Sequence, residues 1–219
     1  MTSEHTFHPF DTDMGRLRGG VLRIAAIVER LLVRAVKAAL MQDQERAARV
    51  IADEAVVHEL HAEIDGQAAL TIARQQPAAG DLQEIVAVFH LIDDLERIGQ
   101  ESRRIARRVQ QGEQFEKLPE PAELEAIATE TADLLRRAVD AFVHHDSPAA
   151  ASVREASESL EQRAQDLLSR IQTAMQEEGA RVQPLLAMNF VVQSVSRSVS
   201  HTQHIAEYLE RAFAGRPRR

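Results

Sequence analysis

Residues 21–65 contain neither glycine nor proline. That interval is far longer than a strand or an ordinary loop, and only helices occupy such a length without these breakers. Within it Ile24, Val28, Leu31, Ala35 and Leu40 recur near the 3.6-residue period, and Val50, Val57, Leu60, Ile64 and Ala68 repeat the pattern. The periodicity predicts two helices that meet near Gln42 and Asp43. Gln76-Pro77 ends the second, because proline disfavours a helical residue before it and lacks an amide donor. Leu82, Ile85, Phe89, Ile92, Leu95, Ile98 and Ile105 predict a third helix, and Gly112, Pro119 and Pro121 mark a connector. Three further periodic runs follow, at 124–145, 149–176 and 185–213. The fold class is all-α.

The second half echoes the first. Ala39-Leu40-Met41-Gln42-Asp43 with Ala47-Ala48-Arg49-Val50 aligns with Phe142-Val143-His144-His145-Asp146 and Ala150-Ala151-Ser152-Val153, an offset of 103 residues. Arg97, Ile105 and Ala106 match Arg197, Ile205 and Ala206 at an offset of 100. The shortening falls between the second and third helices of each half, where Gln75 to Gly80 and Gly179 to Pro184 form different turns. The expected architecture is two tandem three-helix bundles related by an internal repeat, spanning 12–111 and 119–215.

Composition removes several function classes. With no cysteine there are no disulfides, no thiolate nucleophile and no Cys-based zinc or iron–sulfur site. A net charge of −8 repels phosphate backbones and anionic lipid, and one Tyr with no Trp leaves little for base stacking, so nucleic acid is not an expected partner. The basic tail Arg216-Pro217-Arg218-Arg219 reads as a solvated end. No apolar run of about 18 residues or charged-then-apolar start argues for a span or an export signal, so the chain is expected in the cytoplasm. Phosphate-cradling glycine loops and nucleophile elbows are missing, and the chain is not expected to be an enzyme.

Glu54, His58, His61 and Asp65 stand at i, i+4, i+7 and i+11, which stacks them on one helical stripe. Such a stripe is either a solvated polar face or a set of donors for a divalent metal. His90, Asp93, Asp94 and Glu96 on the third helix could face it. His201 and His204 form a poorer pair, having no acid within the four preceding residues, and the adjacent His144 and His145 are expected at the surface. No histidine has a glutamate three residues before it, which argues against a ferritin-like di-iron bundle.

Gln75-Gln76-Pro77-Ala78-Ala79-Gly80-Asp81-Leu82, followed by Leu95-Glu96-Arg97-Ile98-Gly99, resembles the Gln-Pro-x-Ala-x-Asp-Leu and Leu-Glu-Arg-Ile-Gly-Asp segments of the PhoU family. The resemblance extends from about residue 12 to 213. It implies a six-helix fold, a homodimer, and a regulator of phosphate transport and phosphate-responsive signalling. Such a regulator acts between a phosphate ABC transporter and a sensor histidine kinase, with at most peripheral membrane association. It also implies metal clusters held by an acid followed four residues later by Asp, a spacing that reads here as Glu96 to Gln100 and Ser196 to Ser200. Glu54 and His58 correspond to Ser157 and Glu161, so the second half has lost donors twice over. Metal is therefore expected only in the first half, as a divalent ion (zinc, iron or magnesium) on Glu54, His58, His61, Asp65 and Glu96. An unrelated helical-bundle adaptor is the alternative that periodicity alone leaves open.

Overall fold

The computed structural model describes residues 9–115, 121–177 and 182–215, and these form six helices without a strand among them. They are α1 (Pro9–Met41), α2 (Gln44–Gln75), α3 (Ala79–Gln110), α4 (Pro121–His144), α5 (Ser147–Glu177) and α6 (Val182–Ala212). Pro119 of the expected connector, Gly179 to Arg181 of the second turn, and the Arg216 to Arg219 tail lie outside the described residues.

The repeat is written into the backbone of two turns. Gln42 and His145 both adopt left-handed conformations, with φ of 52° and 53°. The amide of Asp43 donates to the carbonyl of Ala38 at 2.9 Å, and the amide of Asp146 donates to Ala141 at 2.9 Å. Each aspartate then caps the next helix. Asp43 accepts from the Arg46 amide at 2.8 Å, and Asp146 from the Ala149 amide at 3.0 Å. The Arg46 amide also holds the Asp43 carboxyl below its ordinary range. Every one of these pairs recurs 103 residues later, the offset seen in the sequence.

Other boundaries follow from local chemistry. Gln76 ends α2 in the left-handed region, φ 45°, with its amide bonded to the Ile72 carbonyl, and Pro77 follows where no helix can continue. Pro121 opens α4, a position where its missing amide costs nothing. The first helix starts ahead of the glycine-free interval. α1 begins at Pro9 and passes through Gly15, Gly19 and Gly20. Glycines this close together weaken a helix locally, but tertiary packing of Met14, Leu17 and Val21 overrides that propensity. Leu82 lies in α3 as expected, but it is 38% exposed and outside the buried stripe of that helix.

Helices α1, α2 and α3 pack on one another, as do α4, α5 and α6. Between the bundles α1 lies on α4 and α3 lies on α6, so equivalent helices meet, as subunits do across a two-fold axis. The apolar side chains buried by both bundles make one continuous core, including Leu31, Ile64, Leu95, Phe142, Val195 and Leu209. No helix among the described residues is long and apolar enough to cross a membrane.

Candidate functional site

Among the described residues polar clusters occupy the helix faces, and two of them stand at equivalent places in the repeat. In the first half α2 presents Glu54, His58, His61 and Asp65 toward α3 and solvent. Glu54 is buried, with both carboxylate oxygens accepting from Arg103 Nη1 at 3.3 and 3.0 Å. Its charge is neutralised by an arginine of α3. His58 Nδ1 lies 2.6 Å from Glu96 Oε1, and that hydrogen bond raises the imidazole pKa above its ordinary value. His61 Nε2 lies 2.9 Å from Asp93 Oδ1 and 3.7 Å from Glu96 Oε2. Asp65 is exposed and joins the group by no hydrogen bond or ion pair. The structure therefore brings His58, His61 and Glu96 together, gives Glu54 to Arg103, and leaves Asp65 outside.

The equivalent place in the second half is neutral apart from one carboxylate. Ser196 Oγ donates to Glu161 Oε1 at 2.8 Å, and Ser200 Oγ donates to Oε2 at 3.0 Å. Gln165 Nε2 adds a third donor at 3.2 Å. Two hydroxyls and an amide thus hold Glu161 with three hydrogen bonds, and Ser157, in the place of Glu54, is fully buried. A multinuclear metal cluster needs several anionic ligands around it, and these residues do not fit one.

The third cluster lies on the seam between α3 and α6. Arg108 stacks on Phe190 at 3.8 Å, Glu101 accepts from Arg197 Nη2 at 3.0 Å, Asp94 pairs with His201 at 2.8 Å, and His90 packs on Tyr208 with ring centroids 4.1 Å apart. Partner numbers fall on α6 as they rise on α3, so the two helices run antiparallel. Asp94, Glu101 and Arg108 are spaced by seven, the repeat that keeps side chains beside a helix–helix seam. Among the described residues Asp94, His201 and His204 alone bring three metal-ligand atoms within 4.8 Å of one another. Sequence reasoning undervalued His201 and His204 because it sought an acid on the same helix. The acid comes from a different helix, 107 residues away in the chain.

A second histidine is also corrected. His145 is buried rather than exposed, and its ring stacks on Phe213 at 4.5 Å. Its Nε2 sits 3.2 Å from Oε2 of the buried Glu84, which also pairs with Arg18 at 2.6 Å. The group joins α1, α3, the α4–α5 turn and the end of α6, and nothing in the sequence pattern marks those four residues as neighbours.

The PhoU domain family matches residues 21–109. The phosphate-specific transport system accessory protein PhoU of Serratia marcescens is 27% identical over 207 residues, covering 94% of this chain and 85% of the relative. The Escherichia coli (strain K12) protein of the same description is 26% identical, covering 94% and 86%. Among solved structures, PhoU from Pseudomonas aeruginosa superimposes with a TM-score of 0.88 at 27% identity, covering 94% of this chain and 99% of that one. The phosphate transport system regulatory protein PhoU from Streptococcus pneumoniae shares the fold, with a TM-score of 0.84 at 21% identity over 94% and 97% of the two chains.

Proposed function

We propose that the chain is a divergent member of the PhoU family, to which it is similar over 94% of its length, and that it regulates phosphate transport as an accessory protein that works by binding rather than by catalysis. The observation that carries this reading is the near-complete fold match to a protein of that system at a TM-score of 0.88, with both halves of the repeat included. The clusters described above agree with a binding role. Most of their charged groups pair with one another across helices.

The partners of this reading are a membrane-embedded phosphate ABC transporter and a sensor histidine kinase, met from the cytoplasmic side by a homodimer. Long helices with polar outer faces suit reversible docking. Metal binding enters only in a reduced form. The expected first-half ligands Glu54, His58, His61, Asp65 and Glu96 shrink to His58, His61 and Glu96, which would hold a single borderline dication in competition with their own hydrogen bonds.

Deleting the gene tests the central reading. The expected outcome is altered phosphate uptake or altered expression of phosphate-responsive genes, restored by the intact gene. Unchanged uptake and expression in both phosphate-replete and phosphate-starved cells would overturn it. Co-purification from detergent-solubilised membranes under the two conditions tests the partners separately.

A further inference from the structure

We propose that Asp94, His201 and His204 form a binding site for one borderline divalent transition cation, zinc or a close relative, that clamps α3 of the first half to α6 of the second. The site is distinct from the α2–α3 face, since Asp94 and Glu96 lie two residues apart and point from the helix in different directions.

The first support is convergence. One carboxylate and two imidazoles bring their donor atoms within 4.8 Å of one another. Around a tetrahedral zinc with bonds of about 2.0 to 2.1 Å, donors stand roughly 3.3 Å apart. Asp94 and His201, at 2.8 Å, need to separate slightly, and the exposed His204 needs to swing inward. Both are side-chain movements on fixed helices.

The second support is unspent donor capacity. Glu54, Glu96 and Glu161 are each taken up by an arginine, a histidine or a pair of serines. Asp94 makes one hydrogen bond, to His201, although a carboxylate has about four acceptor positions. His204 makes none through its ring nitrogens and meets His201 edge-on, with centroids 5.9 Å apart. Arg197, one turn before His201, is directed to Glu101 and Ser194 and does not occupy the place of a cation here.

The third support is the surroundings. Asp94 and His201 are mostly covered, each side chain 18% exposed, while His204 opens to solvent. His90 and Tyr208, one turn away on either helix, close one side. Three protein ligands with one open side leave a position for water. Two nitrogen donors and one oxygen favour zinc-like ions over magnesium or calcium, which take oxygen ligands. When the ion enters, the ring proton of His201 shared with Asp94 moves to the other ring nitrogen, and both former hydrogen-bond partners become ligands.

The test uses the full chain, free of any histidine tag and stripped with a chelator, titrated with Co2+ and with Zn2+. Wild type is expected to show the intense visible absorption of low-coordinate Co2+, bleached by one equivalent of Zn2+, and a Zn2+-dependent rise in Tm. H204A and D94N are expected to lose affinity by more than the roughly 10–100-fold that loss of a supporting residue costs. H204A should unfold at the wild-type temperature without metal, because His204 is exposed and holds no hydrogen bond in the structure. H58A combined with E96Q removes donors of the α2–α3 face, and the absorption that H204A loses should remain in that protein. The proposal is overturned if wild type gives neither signal, or if both survive in H204A and vanish in the H58A/E96Q protein.

Discussion

Gly19 and Gly20 are neighbours in α1 and make opposite demands on it. A Cβ on Gly20 would stand 2.8 Å from Cγ1 and 3.1 Å from Cδ1 of Ile64, a fully buried side chain of α2. A Cβ on Gly19 would meet nothing within 4 Å. Glycine inside a helix costs about 0.5–1 kcal/mol relative to alanine, whereas overpacking a core costs about 1–3 kcal/mol. G19A is therefore expected to stabilise the protein by about 0.5–1 kcal/mol, and G20A to destabilise it by about 0.5–2 kcal/mol after the same helical gain. Urea denaturation of both variants checks this. Adding I64V to G20A should recover part of the loss, since it trims a side chain that the new methyl strikes; a G20A loss that is the same with and without I64V would show that the close approach does not limit this position. Sequence alone warns of neither effect. Only the packing of α1 on α2 distinguishes the tolerated glycine from the required one.

Equivalent helices have taken different roles, and the α3–α6 seam records it. Arg97 and Arg197 occupy matching places in the repeat. Arg197 donates to Glu101, whose carboxylate is 6% exposed and is shared with Arg104 at 2.8 Å. Arg97 is exposed and makes no hydrogen bond or ion pair. R197A leaves a buried carboxylate with one partner. A hydrogen bond to a charged group contributes about 1.5–3 kcal/mol, and with Arg197 itself 42% exposed solvent screening reduces the expected loss to about 1–2 kcal/mol. R97A should fall within about 0.5 kcal/mol of wild type. Thermal or urea unfolding of the two variants measures the contrast, and equal effects would mean the seam pair contributes nothing. At this scale much was legible in the sequence. The six helices, the two Asp-capped turns and the offset of 103 all rest on local signals, namely periodicity, caps and breakers. The pairing of His58 with Glu96 was reachable too, because α2 and α3 are consecutive and their polar stripes were visible. Pairings across the bundles were not: Asp94 with His201, Glu101 with Arg197 and Glu84 with His145 join elements that no local pattern relates.

The two halves read as separate bundles in sequence, yet they share one core, and that decides how the molecule should unfold. Arg18 and Glu84 of the first half meet His145 of the second in the interior, Lys37 of α1 reaches Glu125 of α4 at 2.9 Å, and the α3–α6 seam runs from His90 to Arg108. Burial raises the pKa of the Glu29 carboxyl on α1, opposed by Arg136 of α4, another sign of ionisable groups drawn into the contact between bundles. Separating the halves would expose the apolar faces of α1, α3, α4 and α6 together and strand these polar groups, so neither bundle is expected to persist once the other opens. Chains above about 150 residues often unfold in stages, and a shared core works against that. Tyr208, the only tyrosine in a chain without tryptophan, is a native fluorescent reporter for the second half. A Phe89→Trp variant supplies one for the first, at a partly buried position of α3. In urea, Tyr208 emission in the wild type should follow the same curve as its helical circular dichroism. The indole emission of the Phe89→Trp variant should likewise superimpose on the circular dichroism of that variant, with one midpoint and one slope within each protein. Two separated midpoints, or a circular dichroism plateau at half amplitude, would mean that the repeat halves are independent folding units and that the contact between them only docks finished bundles.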